Sequence, residues 1–392
     1  MGCKVTYIPL GELAKFESGG TPSKKEERYW NGTIPWISAK TLVGDAVCKS
    51  DLFITKQGLD AGSKLAPKGS LLLLTRGSGL FKRIPLAIAE KDVAYNQDIK
   101  CIEATAEGIS NRYLFYTLKA LEPAISAMLE TTGIGAGKLA TDRLKALRIP
   151  VLDEAARLRV TYIADCINGK LSLNTKLNGY LEELCDALFL DFLEQADSSW
   201  HEGTLEELAE VKYGKDHKKL ADGPYPVYGS GGFMRSAEKS LFSGESVLIP
   251  RKGSLNNVMY VNEAFWTVDT MFFTVPRIPG AAKFLYQYVK RLDLASMNSG
   301  SAVPSMTTSI LNALSLPVPP RDSLLSFNAK LQSMYDAVRA NNLENRRLES
   351  LRDSLLPKLM TGEIDVSKID LTQLNSHLAE CFMFTIASLS IC

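Results

Sequence analysis

Histidine is scarce in this 392-residue chain, with only His201, His217 and His377, and the seven cysteines form no C-x-x-C pair. No zinc pattern can be assembled from that set. Long apolar runs are missing as well. No stretch reaches the roughly 18 to 20 residues a membrane span needs, and no apolar core follows a basic start, so no secretory leader is expected. The thiols Cys3, Cys48, Cys101, Cys166, Cys185, Cys381 and Cys392 then read as reduced groups in a cytoplasmic protein. The opening MGCKVT fits M-G-x-x-x-[ST], a myristoylation pattern short enough to occur often by chance. Charge of one sign is also lacking: 45 basic against 44 acidic side chains leave a net charge of +1, which names no polyanionic partner. The distribution is less even. Residues 1–150 carry 21 basic and 15 acidic side chains, and residues 151–195 carry 4 and 8. That asymmetry permits a nucleic-acid face on the front of the chain.

Reaction-centre signatures are missing too. Gly133-Ile-Gly-Ala-Gly137-Lys138 has neither the four-residue gap nor the following Ser/Thr of a phosphate loop. There is no G-x-S-x-G, no H-E-x-x-H, and no N/D-P-P-Y/F tetrapeptide; Val318-Pro-Pro-Arg321 is not one. Carboxylates show no pairing that would support acid–base chemistry. The sequence therefore points away from an enzyme.

What is present is a repeat. Residues 131–151 and 298–318 align at an offset of 167, with Gly133 on Gly300, Thr141 on Thr308, Leu144 on Leu311 and Pro150 on Pro317. The register persists through Leu158 on Leu325, Asn174 on Asn341, Asn178 on Asn345 and Leu184 on Leu351. Upstream it loosens. Residues 111–121 answer 282–292, residues 69–79 answer 244–254, and residues 10–20 answer 205–215. The chain is one unit written twice, diverged most in its front part.

Each copy has two physically different parts. Residues 1–150 and 200–318 show short apolar runs such as SLLLLT, SVLIP and MFFTV between Gly, Pro, Asn and Ser signals, which predicts strands and turns with one or two helices. Residues 154–193 and 321–360 show helical periodicity instead. Asp153 suits an N-cap, Pro320 an early turn and Gly362 a stop. One heptad series in the first helix is Val160, Ile167, Asn174, Leu181, Leu188; the other is Ala164, Leu171, Asn178, Cys185, Phe192. The second helix repeats them as Phe327, Met334, Asn341, Leu348, Leu355 and Leu331, Val338, Asn345, Arg352, Leu359. Such spacing predicts helix pairing, the plainer alternative being an amphipathic helix on its own domain. Asn174, Asn178, Asn341 and Asn345 at matching positions favour pairing, since a buried amide sets register at a cost in stability. Gly169 and Gly179 should weaken the first helix and Pro357 should kink the second. A rod on the order of 50 Å is expected.

The expected class is α+β: two α+β domains separated by two long helices that form an antiparallel coiled coil, with an internal pseudo-two-fold repeat. The boundaries are residues 1–152, 153–195 (helix), 196–319, 320–362 (helix) and 363–392 (tail). Loop residues supply the candidate contacts. Arg76 and Arg251 follow apolar strands at matching positions, suited to a guanine edge or a phosphate. Lys252 adjoins the second. Asn256 and Asn257 could pair with adenine, although Asn in a turn is commonly structural. Lys24, Lys25, Lys215, His217, Lys218 and Lys219 form basic runs that suit phosphates, or simply a solvated surface. Tyr213, Tyr228, Trp36 and Trp266 could line a groove, or belong to the core. Thr21, Lys40 and Ser230 are weaker candidates.

The runs SGGTPS…YW.G.IPWI, KYGKDHKK…PVYGSGG, IPRKG..NN and WTVDT, with the ending LLPKLMTGEIDVS, resemble the specificity subunit of type I restriction–modification enzymes over nearly the whole chain. The resemblance implies two target-recognition domains on helical spacers and no catalytic centre. It implies double-stranded DNA with two different half-sites, two methylation subunits, and restriction subunits. Any S-adenosylmethionine, ATP and Mg would belong to those partners; this chain would hold no cofactor or metal. A cytoplasmic, nucleoid-associated protein is expected. The segment after Lys368 departs from the family pattern, leaving a rearranged, inactive scaffold as one alternative and a stand-alone enzyme with a cryptic site as another.

Overall fold

A computed structural model describes residues 5–133, 135–297 and 305–371. Residues 1–4 of the myristoylation match, the Gly300 to Pro304 copy of the glycine loop and tail residues 372–392 lie outside the described residues. The chain forms two compact units: residues 5–173 with 344–371, and residues 174–343. The division falls inside both long helices, not at their ends, because each helix gives one half of its length to each core.

In the first unit the strands Ala14–Ser18, Ile99–Ala104, Leu71–Leu74, Leu86–Ala89 and Ala46–Val47 form a five-stranded sheet in that order. Leu71, Leu72, Leu73 and Leu74 are all buried. Four consecutive buried leucines mean a strand covered on both faces, which is why the run is continuous and not alternating. The strand Val5–Pro9 pairs antiparallel with Arg148–Leu152, bringing the start of the domain to its end. Helix Asn111–Ala120 begins at Ser110, whose hydroxyl accepts from the Tyr113 amide. The Tyr113 hydroxyl then donates to the Pro150 carbonyl at 2.8 Å.

The second unit repeats the scheme. The strand His201–Thr204 pairs with Ser315–Val318. Six strands stand in the order Ala209–Tyr213, Met271–Pro276, Phe242–Pro250, Met259–Thr267, Tyr225–Gly229, Gly232–Ala237. Helix Ala281–Val289 packs its Phe284 and Leu285 into the core.

The long helices span Glu154–Glu194 and Arg321–Met360. Asp153 caps the first, its carboxylate accepting from the Ala156 amide at 2.9 Å. Gly169 and Gly179 lie within it, and Pro357 lies within the second. Gly362, at φ +72°, follows its end, where a left-handed residue costs glycine little. In the first unit Lys170 Nζ meets Glu344 at 3.1 Å and Arg352 meets Asn168 at 3.3 Å. In the second, Asn178 faces Asn341 and Cys185 faces Met334. In both, numbers rise on one helix as they fall on the other, so the pairing is antiparallel. The contact face departs from the strict heptad where Phe189, Lys170 and Leu356 are buried while Leu188, Leu171 and Leu355 are only half-buried. Positions 178, 181, 185 and 189 keep the 3.6 period of a straight helix, whereas the heptad assumes 3.5.

The structure places Asn174, Asn178 and Asn341 in buried positions and Asn345 half-buried. Asn341 Nδ2 donates to Asn178 Oδ1 at 2.7 Å, and Asn178 Nδ2 donates to Asn342 Oδ1 at 2.9 Å. Asn178→Leu alone strands the buried Asn341 amide and is expected to cost about 1–3 kcal/mol. The double change Asn178→Leu with Asn341→Leu should recover most of that loss. Urea unfolding of the two variants checks it; equal losses in both would place the amides in contact with water.

Candidate nucleic-acid interface

Arg251 leaves the end of the strand Phe242–Pro250. Its guanidinium lies 5.4 Å from the centre of the Tyr213 ring, which stands edge-on to Phe272 at 4.9 Å. A planar cation stacked on an exposed ring is held for planar recognition while its remaining N–H groups stay available. One of them reaches the Asp269 carbonyl at 3.3 Å. The Tyr213 hydroxyl meets Thr308 Oγ1 at 3.5 Å. The backbone there is pinned: Met306 N–H donates to the Arg251 carbonyl at 2.9 Å, and Lys252 bridges Ser305.

The first unit has the counterpart. Arg76 is exposed on the strand Arg76–Gly77, paired with Gly137–Lys138, and Leu139 N–H donates to the Thr75 carbonyl at 2.8 Å. Leu139 and Met306 are one repeat apart. The glycine-rich segment that imitates a phosphate loop therefore works as a brace beside the arginine strand, and it brings Lys138 beside Arg76. That lysine is not among the sequence candidates, although the near-match had flagged its segment.

The basic loops are exposed but anchored. Trp266 Nε1 donates to the Lys215 carbonyl at 2.8 Å, Trp36 Nε1 to the Gly20 carbonyl and Trp30 Nε1 to the Ser23 carbonyl, both at 3.1 Å. Three indoles thus hold the main chain of loops whose lysines Lys24, Lys25, Lys215, Lys218 and Lys219 face solvent. Thr21 donates to Gln97 at 2.7 Å. Lys40 pairs with Asp51 at 3.2 Å on the surface, a pair worth little in water. His217 is half-buried with Nδ1 unpartnered, and its carbonyl accepts from Arg235 at 3.2 Å. The Lys218 amide, donating to Asp216, lowers that carboxyl below its ordinary value.

Two expectations are corrected. Trp36 and Tyr228 do not line a surface; both are buried, Trp36 edge-on to Trp30 at 5.4 Å and Tyr228 with its hydroxyl on Glu263 at 2.5 Å. Both rings lie in strand stretches buried on both faces, residues 35–37 and 226–229, so no face there is left to a surface. Asn256 uses each end of its amide once within the chain: Nδ2 donates to Asp293 and Oδ1 accepts from the Ala295 amide, each at 3.0 Å. The bond from Asn256 also lowers the Asp293 carboxyl below its ordinary value. Asn257 donates to the Ser230 carbonyl at 2.8 Å and thereby joins two loops. Among the described residues no group of three or more His, Cys, Asp and Glu is placed to hold a metal.

Two repeat-related arginines, each held beside a braced backbone on an α+β domain that also carries exposed basic loops, define a duplicated recognition protein. Residues 4–182 and 197–351 match the family described as Type I restriction modification DNA specificity domain. The chain belongs to that family, whose part is recognition and not catalysis. It is 32% identical to the EcoR124I/EcoR124II specificity subunit of Escherichia coli over 41% of this chain and 40% of that protein. It is 24% identical to the MjaIX specificity subunit of Methanocaldococcus jannaschii over 92% of this chain and 93% of that protein. The fold is similar to the crystal structure of a type I restriction–modification S subunit from M. genitalium, with TM-score 0.59, 18% identity, and 91% and 96% of the two chains covered.

Proposed function

We propose that this chain reads a bipartite, asymmetric DNA sequence, one half-site per α+β domain, for a type I restriction–modification complex. The observation that carries the reading is the duplication of the braced arginine on two domains whose remaining loops differ. One device for docking is kept while the contact surfaces diverge, as two different DNA words would require.

The helices support two copies of a methylation subunit. In the first unit Leu158 and Leu351 are exposed, and in the second Leu325 and Leu184 are exposed. These are the same two positions, one repeat apart. Large apolar side chains exposed at repeat-related sites fit one partner bound twice. Restriction subunits would join through those partners, which would also supply S-adenosylmethionine, ATP and Mg. The complex would work in the cytoplasm, on nucleoid DNA.

Co-expression with the methylation subunit, followed by single-molecule mapping of modified adenines in the host genome, tests the reading. A single bipartite motif with constant spacing is expected. A soluble complex that modifies no motif would reject it in favour of an inactive scaffold. Arg251→Ala is further expected to weaken only the second domain's half-site, by about 5- to 150-fold, the range of a good bidentate base contact. Arg76→Ala should do the same for the first. Competition binding with each half-site scrambled in turn distinguishes this from an equal loss at both.

A further inference from the structure

The strands Tyr225–Gly229 and Gly232–Ala237 form a hairpin with Gly229 opposite Gly232, so that Ser230 and Gly231 make its turn. Gly232 sits at φ +107°, a conformation that side chains rarely adopt. Phe233 and Met234 follow, 51% and 54% exposed. Successive side chains on a strand point to opposite faces. That alternation lapses at the register shift, where Met234 is the extra residue, so both side chains stay about half-exposed at the hairpin end, with Phe233 edge-on to Tyr228 at 6.4 Å. A register shift between Val227 and Tyr228 changes its direction there, as bulges do.

The tip is nevertheless held. Asn257 donates to the Ser230 carbonyl at 2.8 Å, tying it to the loop of Arg251 and Lys252. Arg235 donates to the carbonyls of His217 at 3.2 Å and Leu220 at 2.6 Å, tying it to the loop of Lys215, Lys218 and Lys219. Two large apolar side chains thus project between two cationic loops. A protein partner would have to desolvate those cations to reach the apolar tip. A polyanion with apolar edges inside its groove meets both requirements. The major groove of B-DNA admits a two-stranded ribbon, and its one apolar base-edge group is the thymine methyl.

We propose that this hairpin enters the major groove of the second domain's half-site and sets Phe233 and Met234 against thymine methyl groups. The proposal rests on the DNA-reading function argued above and adds a position read without hydrogen bonds.

The test uses the complex with its methylation subunit and the duplex identified by methylation mapping. Each thymine of the half-site is replaced in turn by deoxyuridine, and binding is measured for the native protein, Phe233→Ala and Met234→Ala. At one or two positions the native protein should bind about fourfold more weakly, as expected for removing one methyl from contact. Phe233→Ala should weaken the unmodified duplex at least as much and lose that sensitivity, with the other half-site unaffected. Unchanged uracil sensitivity in both variants, or a half-site without thymine, overturns the proposal. So does loss of the methylation subunit from either variant on gel filtration, which would make the tip a protein-docking element. A native complex that selects no duplex would instead overturn the DNA-reading function itself.

Discussion

Lys283→Met is expected to destabilise the second unit by about 3–5 kcal/mol, the range for removing one partner of a buried ion pair. The Lys283 side chain is fully buried and its ammonium donates to Glu245 at 2.5 Å, Asn328 at 2.7 Å and Gln332 at 2.8 Å. All three protons are used. The Tyr260 and Tyr335 rings lie 5.6 and 5.7 Å away, and the Tyr260 hydroxyl donates to the same Glu245 oxygen at 2.6 Å. The helix Ala281–Val289, the strand Phe242–Pro250 and the second long helix meet at this one nitrogen. Removing it strands three acceptors, one of them the partly buried Glu245 carboxylate. Adding Glu245→Leu should return a large part of the loss, because a well-packed apolar pair avoids the desolvation cost of both charges. The repeat supplies the control. Arg112 occupies the equivalent helix position in the first unit and binds Asp165, the residue that answers Gln332. That pair is about half-exposed on the arginine side, so Arg112→Met should cost about 1 kcal/mol or less. Guanidinium unfolding of both variants measures the contrast. Similar losses would show that Lys283 is solvated in the folded protein.

Phe327→Ala is the second large effect, again about 3–5 kcal/mol. The ring is buried, stacks on Phe192 at 4.4 Å with 11° between planes, and meets Phe189 at 6.0 Å. Phe284 and Trp200 complete the aromatic cluster. Alanine would leave a cavity that rigid rings on three elements cannot collapse to fill. Val160 holds the equivalent position in the first unit and is also buried. Val160→Ala removes two methylene equivalents and should cost about 1.6 kcal/mol from lost burial. Hydrogen exchange should show the Phe327→Ala loss concentrated in residues 174–343. A uniform loss of protection throughout the chain would refute that localisation.

Several parts of this organisation were legible because they depend on periodicity. The offset of 167 places Leu158 with Leu325 and Leu184 with Leu351, and those pairs share exposure as they share sequence. Long helices show themselves over many turns, so misplaced positions such as Leu188 for Phe189 and Leu355 for Leu356 did not obscure the elements. The loop residues fared unevenly. Lysines in basic runs reach solvent because burying an unpaired ammonium is costly. Trp36, Tyr228 and Asn256 could not be assigned in advance, since an aromatic or amide suits a recognition surface and a core equally well. What separates them is which neighbour lies within hydrogen-bond reach. Asp293, for example, lies 37 residues from Asn256.

By itself the sequence determined the duplication, the α+β class, the two long helices and the recognition family, all properties of local pattern and of order along the chain. Only the tertiary structure decided that each helix is divided between two cores, that three tryptophans hold the basic loops by their indole N–H groups, and that Lys283 is a buried junction. It also decided that Phe233 and Met234 stand exposed between two cationic loops. These depend on contacts between residues far apart in the chain, and no local spacing encodes which of several compatible partners a side chain will meet.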